Sequence, residues 1–198
     1  MLKLNIIYIF VLIYVTACSA VGVPYTSDPY KKLQQATSLY QQYNRPLPAQ
    51  RLIFEAMETF ENNKDELGIA KSYRTYAFFL QSDAVGKFEP LYRKQGFYDK
   101  SVSFDNRYIK AIEYFRKTVT IYKKHSLFDE LSNIYMSMAN NYAIAQNNNE
   151  KACHYLGLTL ETHSLFMKNN PGASVVGHPD YSSFSEYINT LKKEYKCK

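Results

Sequence analysis

Few side chains in this sequence are suited to chemistry by type and spacing. Histidines stand at positions 125, 154, 163 and 178, and cysteines at 18, 153 and 197. An imidazole acts as a general base only with a nucleophile in hydrogen-bond reach, and the local motifs that guarantee this have fixed spacings. The chain has no Gly-x-Ser-x-Gly elbow, no phosphate-binding loop and no HExxH. His154 beside Cys153, with His163 further along, hints at zinc, but no compact ligand set at metal spacing accompanies them. The expectation is a chain without metal, cofactor or catalytic residue, whose function lies in binding.

Cys18 belongs to a different chemistry. A single charge, Lys3, precedes the apolar run Leu4, Ile6, Ile7, Ile9, Phe10, Val11, Leu12, Ile13 and Val15, which is the plan of a secretory signal. The run is short of the ~20 residues that span a bilayer. It ends in Val15, Thr16, Ala17 and Cys18, which resembles the bacterial lipobox, where lipid is attached to the cysteine thiol before signal peptidase II cuts ahead of it. That resemblance implies a signal peptide over 1–17, a palmitate-bearing Cys18, a lipidated linker over 18–28 and a tethered body over 29–198. On the same residues, an ordinary signal peptide with a nearby cysteine and an uncleaved anchor are the alternatives. Ser19 in place of Asp after the cysteine implies, by similarity to enterobacterial lipoproteins, an outer-membrane protein facing the periplasm.

With Cys18 acylated, the odd count of three leaves two thiols in an oxidising compartment. A Cys153–Cys197 disulfide is therefore expected, closing a long loop worth about 3 to 4 kcal/mol in chain entropy. Loss of residues 1–17 removes Lys3 alone among the charges, lowering the net charge of +6 by one. That is no nucleic-acid signature. Basic residues cluster in the middle third, from Lys87 through Arg93, Lys94, Lys100, Arg107 and Lys110 to Lys124. A solvated helix face explains them; an acidic partner or anionic lipid headgroups are the alternatives.

The body is expected to be all-α. Asp28 and Pro29 have the types for a helix start, and Leu33, Thr37 and Tyr40 fall on one stripe. Arg45 to Pro48 breaks that helix, and Leu52, Ile53, Ala56, Met57 and Phe60 form the buried side of the next, which Asn62 and Asn63 end. The pattern recurs: Tyr73, Ala77 and Leu80 match Tyr135, Ala139 and Tyr142, while Ala111, Phe115 and Thr118 match Ala152, Leu156 and Thr159, and more loosely Ala49, Ile53 and Ala56. This resembles the tetratricopeptide repeat (TPR), implying antiparallel helix pairs stacked as a short solenoid over roughly residues 29 to 165. The repeats are degenerate, and an extra residue sits in the turn between Gln146 and Lys151. A loop containing Pro171, Gly172, Gly177 and Pro179 leads to a C-terminal capping helix, which Ser183 and Glu186 start as a capping box.

The segment from Asp83 to Asn106 interrupts the second repeat, and long connections are often functional. It carries Phe88, Tyr92, Phe97, Tyr98 and Phe104 among Lys87, Arg93, Lys94 and Lys100, types favoured as interface anchors. Packing of the same aromatics over the repeat groove is the alternative. With 19 tyrosines and no tryptophan, some rings are expected on a concave face, with Tyr76, Tyr108, Tyr114 and Tyr135 as candidates. The stretches Gly22 to Pro29, Asn44 to Pro48 and Phe104 to Tyr108 are similar to those of proteobacterial repeat lipoproteins. That resemblance implies an immunity protein binding a type VI secretion effector, notably a phospholipase. The second expectation is a scaffold or assembly lipoprotein, similar in plan to a type IV pilotin or to the repeat lipoprotein of the outer-membrane barrel assembly machine. Cys18→Ser should release the protein from the membrane fraction with its fold intact; retention there would refute the lipobox.

Overall fold

The computed structural model describes residues 22–173 and 180–198. The signal segment 1–17, Cys18, Gly177, His178 and Pro179 lie outside the described residues. Within them every regular element is a helix and none is a strand. No described helix is long and apolar enough to cross a membrane.

Helix α1 (Pro29–Gln41) begins where the Asp28 carboxylate accepts the Tyr30 and Lys31 amides at 2.9 and 3.3 Å. Leu33, Ala36, Leu39 and Tyr40 are its buried residues. Thr37, expected on that stripe, is only half-buried because Ala36 takes the centre of the apolar arc and leaves Thr37 at its edge. Helix α2 (Pro46–Asn62) returns antiparallel: Lys32 pairs with Glu55 at 2.8 Å, and the rings of Tyr30 and Phe60 meet edge-on at 4.7 Å. Helix α3 (Glu66–Gln81) starts on Asp65, which accepts the Gly68 amide at 2.9 Å. At Gly68 a β-carbon would stand 2.0 Å from the Phe60 ring. Glycine there lets the ring lie flat against the backbone of α3.

Two short helices, α4 (Asp83–Lys87) and α5 (Glu89–Gln95), follow before α6 (Arg107–Lys124) runs back along α3. The pairing is antiparallel, with Lys124 on Glu66 at 2.6 Å at one end and the rings of Phe78 and Phe115 5.1 Å apart towards the other. Between them the buried Thr118 hydroxyl sits 3.1 Å from its own helix's Tyr114 carbonyl and 3.3 Å from that of Ala70. Helices α7 (Phe128–Asn140) and α8 (Asn149–Asn169) form the third pair. A π-helical turn over Asn141–Ala145 follows α7, ahead of the turn between Gln146 and Lys151 in which an extra residue was expected. The π-helical turn buries Asn141, whose amide donates to Gln81 at 2.8 Å and to the Tyr108 carbonyl at 3.2 Å.

All nine matched positions of the second helices, Ala49, Ile53, Ala56, Ala111, Phe115, Thr118, Ala152, Leu156 and Thr159, are fully buried. Small residues there let paired backbones approach while the larger ones fill the space between pairs. A capping helix, α9 (Phe184–Glu194), packs Ile188 and Leu191 on Ala139 and Leu156. The Ser183 hydroxyl accepts the Glu186 amide at 3.1 Å, while the Glu186 carboxylate reaches back to the Ser182 amide rather than that of Ser183. The Cys153–Cys197 disulfide is present and fastens the tail to α8. Gly68→Ala should overpack Phe60, costing about 1–3 kcal/mol and lowering Tm by circular dichroism; an unchanged Tm would contradict the close approach of α2 and α3.

Candidate functional site

The segment Asp83–Asn106 is a packed wedge, not an open loop. After α5, Gly96 at φ 73° turns the chain back so that Phe97 stacks on Tyr92 with centroids 4.3 Å apart, and Tyr92 meets Phe79 edge-on. Tyr98 lies over Phe54 of α2, whose ring touches Tyr76, which in turn touches Tyr114 of α6. Asp99 accepts the Tyr114 hydroxyl at 2.8 Å and the Ser101 amide at 2.9 Å. Ser103 and Asn106 bond each other's amides reciprocally. The Arg93 guanidinium grips Asp105 through two bonds of 3.0 and 2.7 Å and Glu89 through a third. Arg107 stacks 3.9 Å over Phe104 and 4.3 Å over Tyr108.

This placement corrects several candidate contact residues. Tyr92, Phe97 and Phe104 are core, filling the space over α3 between α2 and α6, so they offer no anchor to a partner. Arg93 is exposed but already engaged by two carboxylates. Phe88, Lys94 and Tyr98 remain exposed. Of the tyrosines expected on a concave face, Tyr76, Tyr114 and Tyr135 are buried, and Tyr108 is half-covered by Arg107. The physical reason is shared: each sits on a helix side that faces a neighbouring helix or the wedge.

The concavity lies elsewhere, along the first helices of the three pairs. Two adjoining cavities of about 650 and 460 Å³ share Tyr40, Gln41 and Phe78, and together form one groove. Helix α1 contributes Gln34, Thr37, Ser38 and Gln41; α3 contributes Lys71, Arg74, Thr75, Phe78 and Gln81; α7 contributes Glu130, Ser137 and Asn140. Within each helix these positions recur at intervals of three, four or seven, one face of a 3.6-residue helix. That polar periodicity is the signal that apolar-stripe reasoning passed over. Tyr30, Leu33, Tyr40 and Phe78 form the apolar part of the lining, and burial pushes the Tyr40 hydroxyl's pKa up, keeping it a neutral donor. Arg74 and Glu130 pair at 2.7 Å across α3 and α7, so that neither contributes an uncompensated charge. Lys71 lies 5.0 Å over the Tyr30 ring, whose hydroxyl donates to Asp65.

Chemically, the lining is rich in amides and hydroxyls. The hydroxyls of Thr37, Thr75 and Ser137 donate to carbonyls one turn back in their own helices, which leaves their oxygens as acceptors. Gln34 and Gln41 each offer a donor and an acceptor from one side chain, whereas the Gln81 amide is engaged by the Ala77 carbonyl and Asn141, and the Asn140 oxygen by Tyr195. Such a surface can match the alternating N–H and C=O groups of an extended polypeptide. Among the described residues no three His, Cys, Asp or Glu side chains are grouped to hold a metal. His125 is 3.2 Å from Glu66, and His163 packs against Phe184, where burial pushes its pKa down. Comparisons with protein families, with curated proteins and with solved structures find no match to this chain.

At Asp99 burial opposes the charge, but the Ser101 amide and the Tyr114 hydroxyl outweigh it and hold the carboxyl below its ordinary value. A depressed folded pKa gives stability that is present above the unfolded value and lost as pH falls through the folded one. The Tm difference between wild type and Asp99→Asn should therefore be largest near neutrality and shrink below about pH 4. A difference constant from pH 7 to pH 3 would show that the carboxylate does not hold the wedge by its charge.

Proposed function

We propose that this chain is a membrane-tethered periplasmic protein-binding module, an immunity protein that neutralises a type VI secretion effector of the phospholipase kind by direct binding. The groove carries the proposal. Three antiparallel helix pairs set the polar side chains of α1, α3 and α7 beside the apolar surface of Tyr30, Leu33, Tyr40 and Phe78 in one groove, suited to a segment of the toxin laid in extended form. Affinity is highest when the receptor is ordered before binding, because little side-chain and loop entropy is then lost. Several features support such preorganisation: the Arg74–Glu130 pair, the Asn141 bonds from the π-helical turn to α3 and α6, and the disulfide that holds α9. The lipobox resemblance adds the compartment, since an effector delivered to the periplasm must be met there.

Deleting the gene should make cells sensitive to sibling cells with an active type VI system, and the wild-type chain should restore survival. Gln41→Trp, at an exposed position where the two cavities join, should fold with wild-type Tm but lose protection. A roughly 100-fold weaker hold on the effector, about 2.7 kcal/mol, is the expected size. Full protection by this variant would overturn the groove as the binding site. Unchanged survival of the deletion strain would overturn immunity and favour a scaffold role.

A further inference from the structure

The alternating course of the helices gathers one set of turns at one end of the molecule. Gln42–Arg45 between α1 and α2, the start of α4, the start of α6, the π-helical turn and the first turn of α8 all lie there. Side-chain bonds join them: Lys87 to Asn44 at 3.2 Å, Asn141 to Gln81 and to the Tyr108 carbonyl, and Tyr195 to Asn140 at 3.0 Å. Four large apolar side chains stand open at this end. Ile144 is 78% exposed, Tyr43 64% and Ile109 54%, with Phe88 beside Lys87. Tyr43 lies in the turn after α1, Phe88 between α4 and α5, Ile109 in the first turn of α6 and Ile144 in the π-helical turn.

Charge at the same end is lopsided. Lys87, Arg93, Arg107, Lys151, Lys196 and Lys198 stand there against Asp83, Glu89, Asp105 and Glu150, the single Arg93 guanidinium being shared by Glu89 and Asp105. The disulfide brings Lys196 and Lys198 here by pinning Cys197 to the first turns of α8. At the opposite end Glu61, Asp65, Glu66 and Asp129 offset Lys64, Lys123 and Lys124, with Lys124 already on Glu66. The linker before α1 points the same way. Pro24 accepts a bond from Gln35 at 3.0 Å, and Gly22 lies beside Arg45, so the linker runs back along α1 to the turn end. From there Cys18 is four residues away, a reach of at most ~14 Å.

We propose that this turn end is a docking surface for an anionic lipid bilayer, with Ile144, Ile109, Tyr43 and Phe88 entering the headgroup boundary and the surrounding lysines facing lipid phosphates. Apolar side chains among basic residues are the composition that partitions to such an interface, and each basic residue near it strengthens attachment roughly fivefold. A second protein is the other class of occupant. The basic surround and the linker's course favour the bilayer. The proposal rests on lipidation of Cys18 for nearness alone.

The chain has no tryptophan, so Ile144→Trp creates a single reporter at the turn end and Leu165→Trp a control in the exposed far part of α8. The full lipidated chain is reconstituted into vesicles of mixed phosphatidylglycerol and phosphatidylcholine containing brominated lipid. The expected result is a blue-shifted emission at position 144, quenched at least twofold, with neither effect at position 165 and a several-fold weaker effect in pure phosphatidylcholine. Absence of quenching at 144, equal quenching at both positions, or equal quenching in neutral vesicles would each overturn the proposal. Co-sedimentation of the chain with the vesicles reports the tether separately, so loss of docking and loss of lipidation are distinguishable.

Discussion

Helices α3 and α6 must pair although the segment Asp83–Asn106 separates them, and the remaining packing follows from how closely they do so. Ala70, Ala77, Ala111 and Thr118 have no exposed surface, and the Thr118 hydroxyl reaches a carbonyl on the other helix. Larger residues at these positions would hold the backbones apart. The close contact sets the angle at which Phe78, Arg74 and Lys71 leave α3 on the groove side and at which Tyr76 leaves it on the other. The groove and the wedge are thus opposite faces of one helix pair.

The wedge shows what the high aromatic content accomplishes. Buried aromatic rings bring large apolar area together with a preferred edge-on or offset geometry. Tyr76, Tyr92, Phe97 and Tyr114 meet in that way, with Asp99 taking up the Tyr114 hydroxyl. Salt links at the rim, Arg93 with Glu89 and Asp105, are exposed and contribute little individually. The rings and the turn at Gly96 are what give the segment a defined shape.

Much of the helical plan was legible because apolar periodicity and small-residue spacing report burial directly. The matched alanines and their partners read as helix contacts and are buried, and the Asp28 cap is present. So is the disulfide. The wedge was not legible in the same way, since aromatics such as Tyr92 and Phe97 follow no single period and their burial depends on a space that two distant helices leave open. The groove was missed for the converse reason. Its residues, Gln34, Ser38, Gln41, Thr75 and Ser137, are polar and uncharged, and on one chain they resemble any solvated helix face until three such faces are set side by side.

The capping helix meets the body through a small apolar cluster of its own, separate from the main core, in which Ile188 and Leu191 rest on Ala139 and Leu156. Elements held by few buried contacts open at low free energy while the rest of a protein stays closed. Helix α9 is therefore the natural first unit to exchange its amides with solvent. The bond between Cys153 and Cys197 changes the character of that opening, because the helix stays attached to α8 and re-docks as an intramolecular event. In an oxidising compartment the tail breathes on a short leash; under reduction each opening releases it from α8, and Leu156 and Ala139 lose their cover until it docks again.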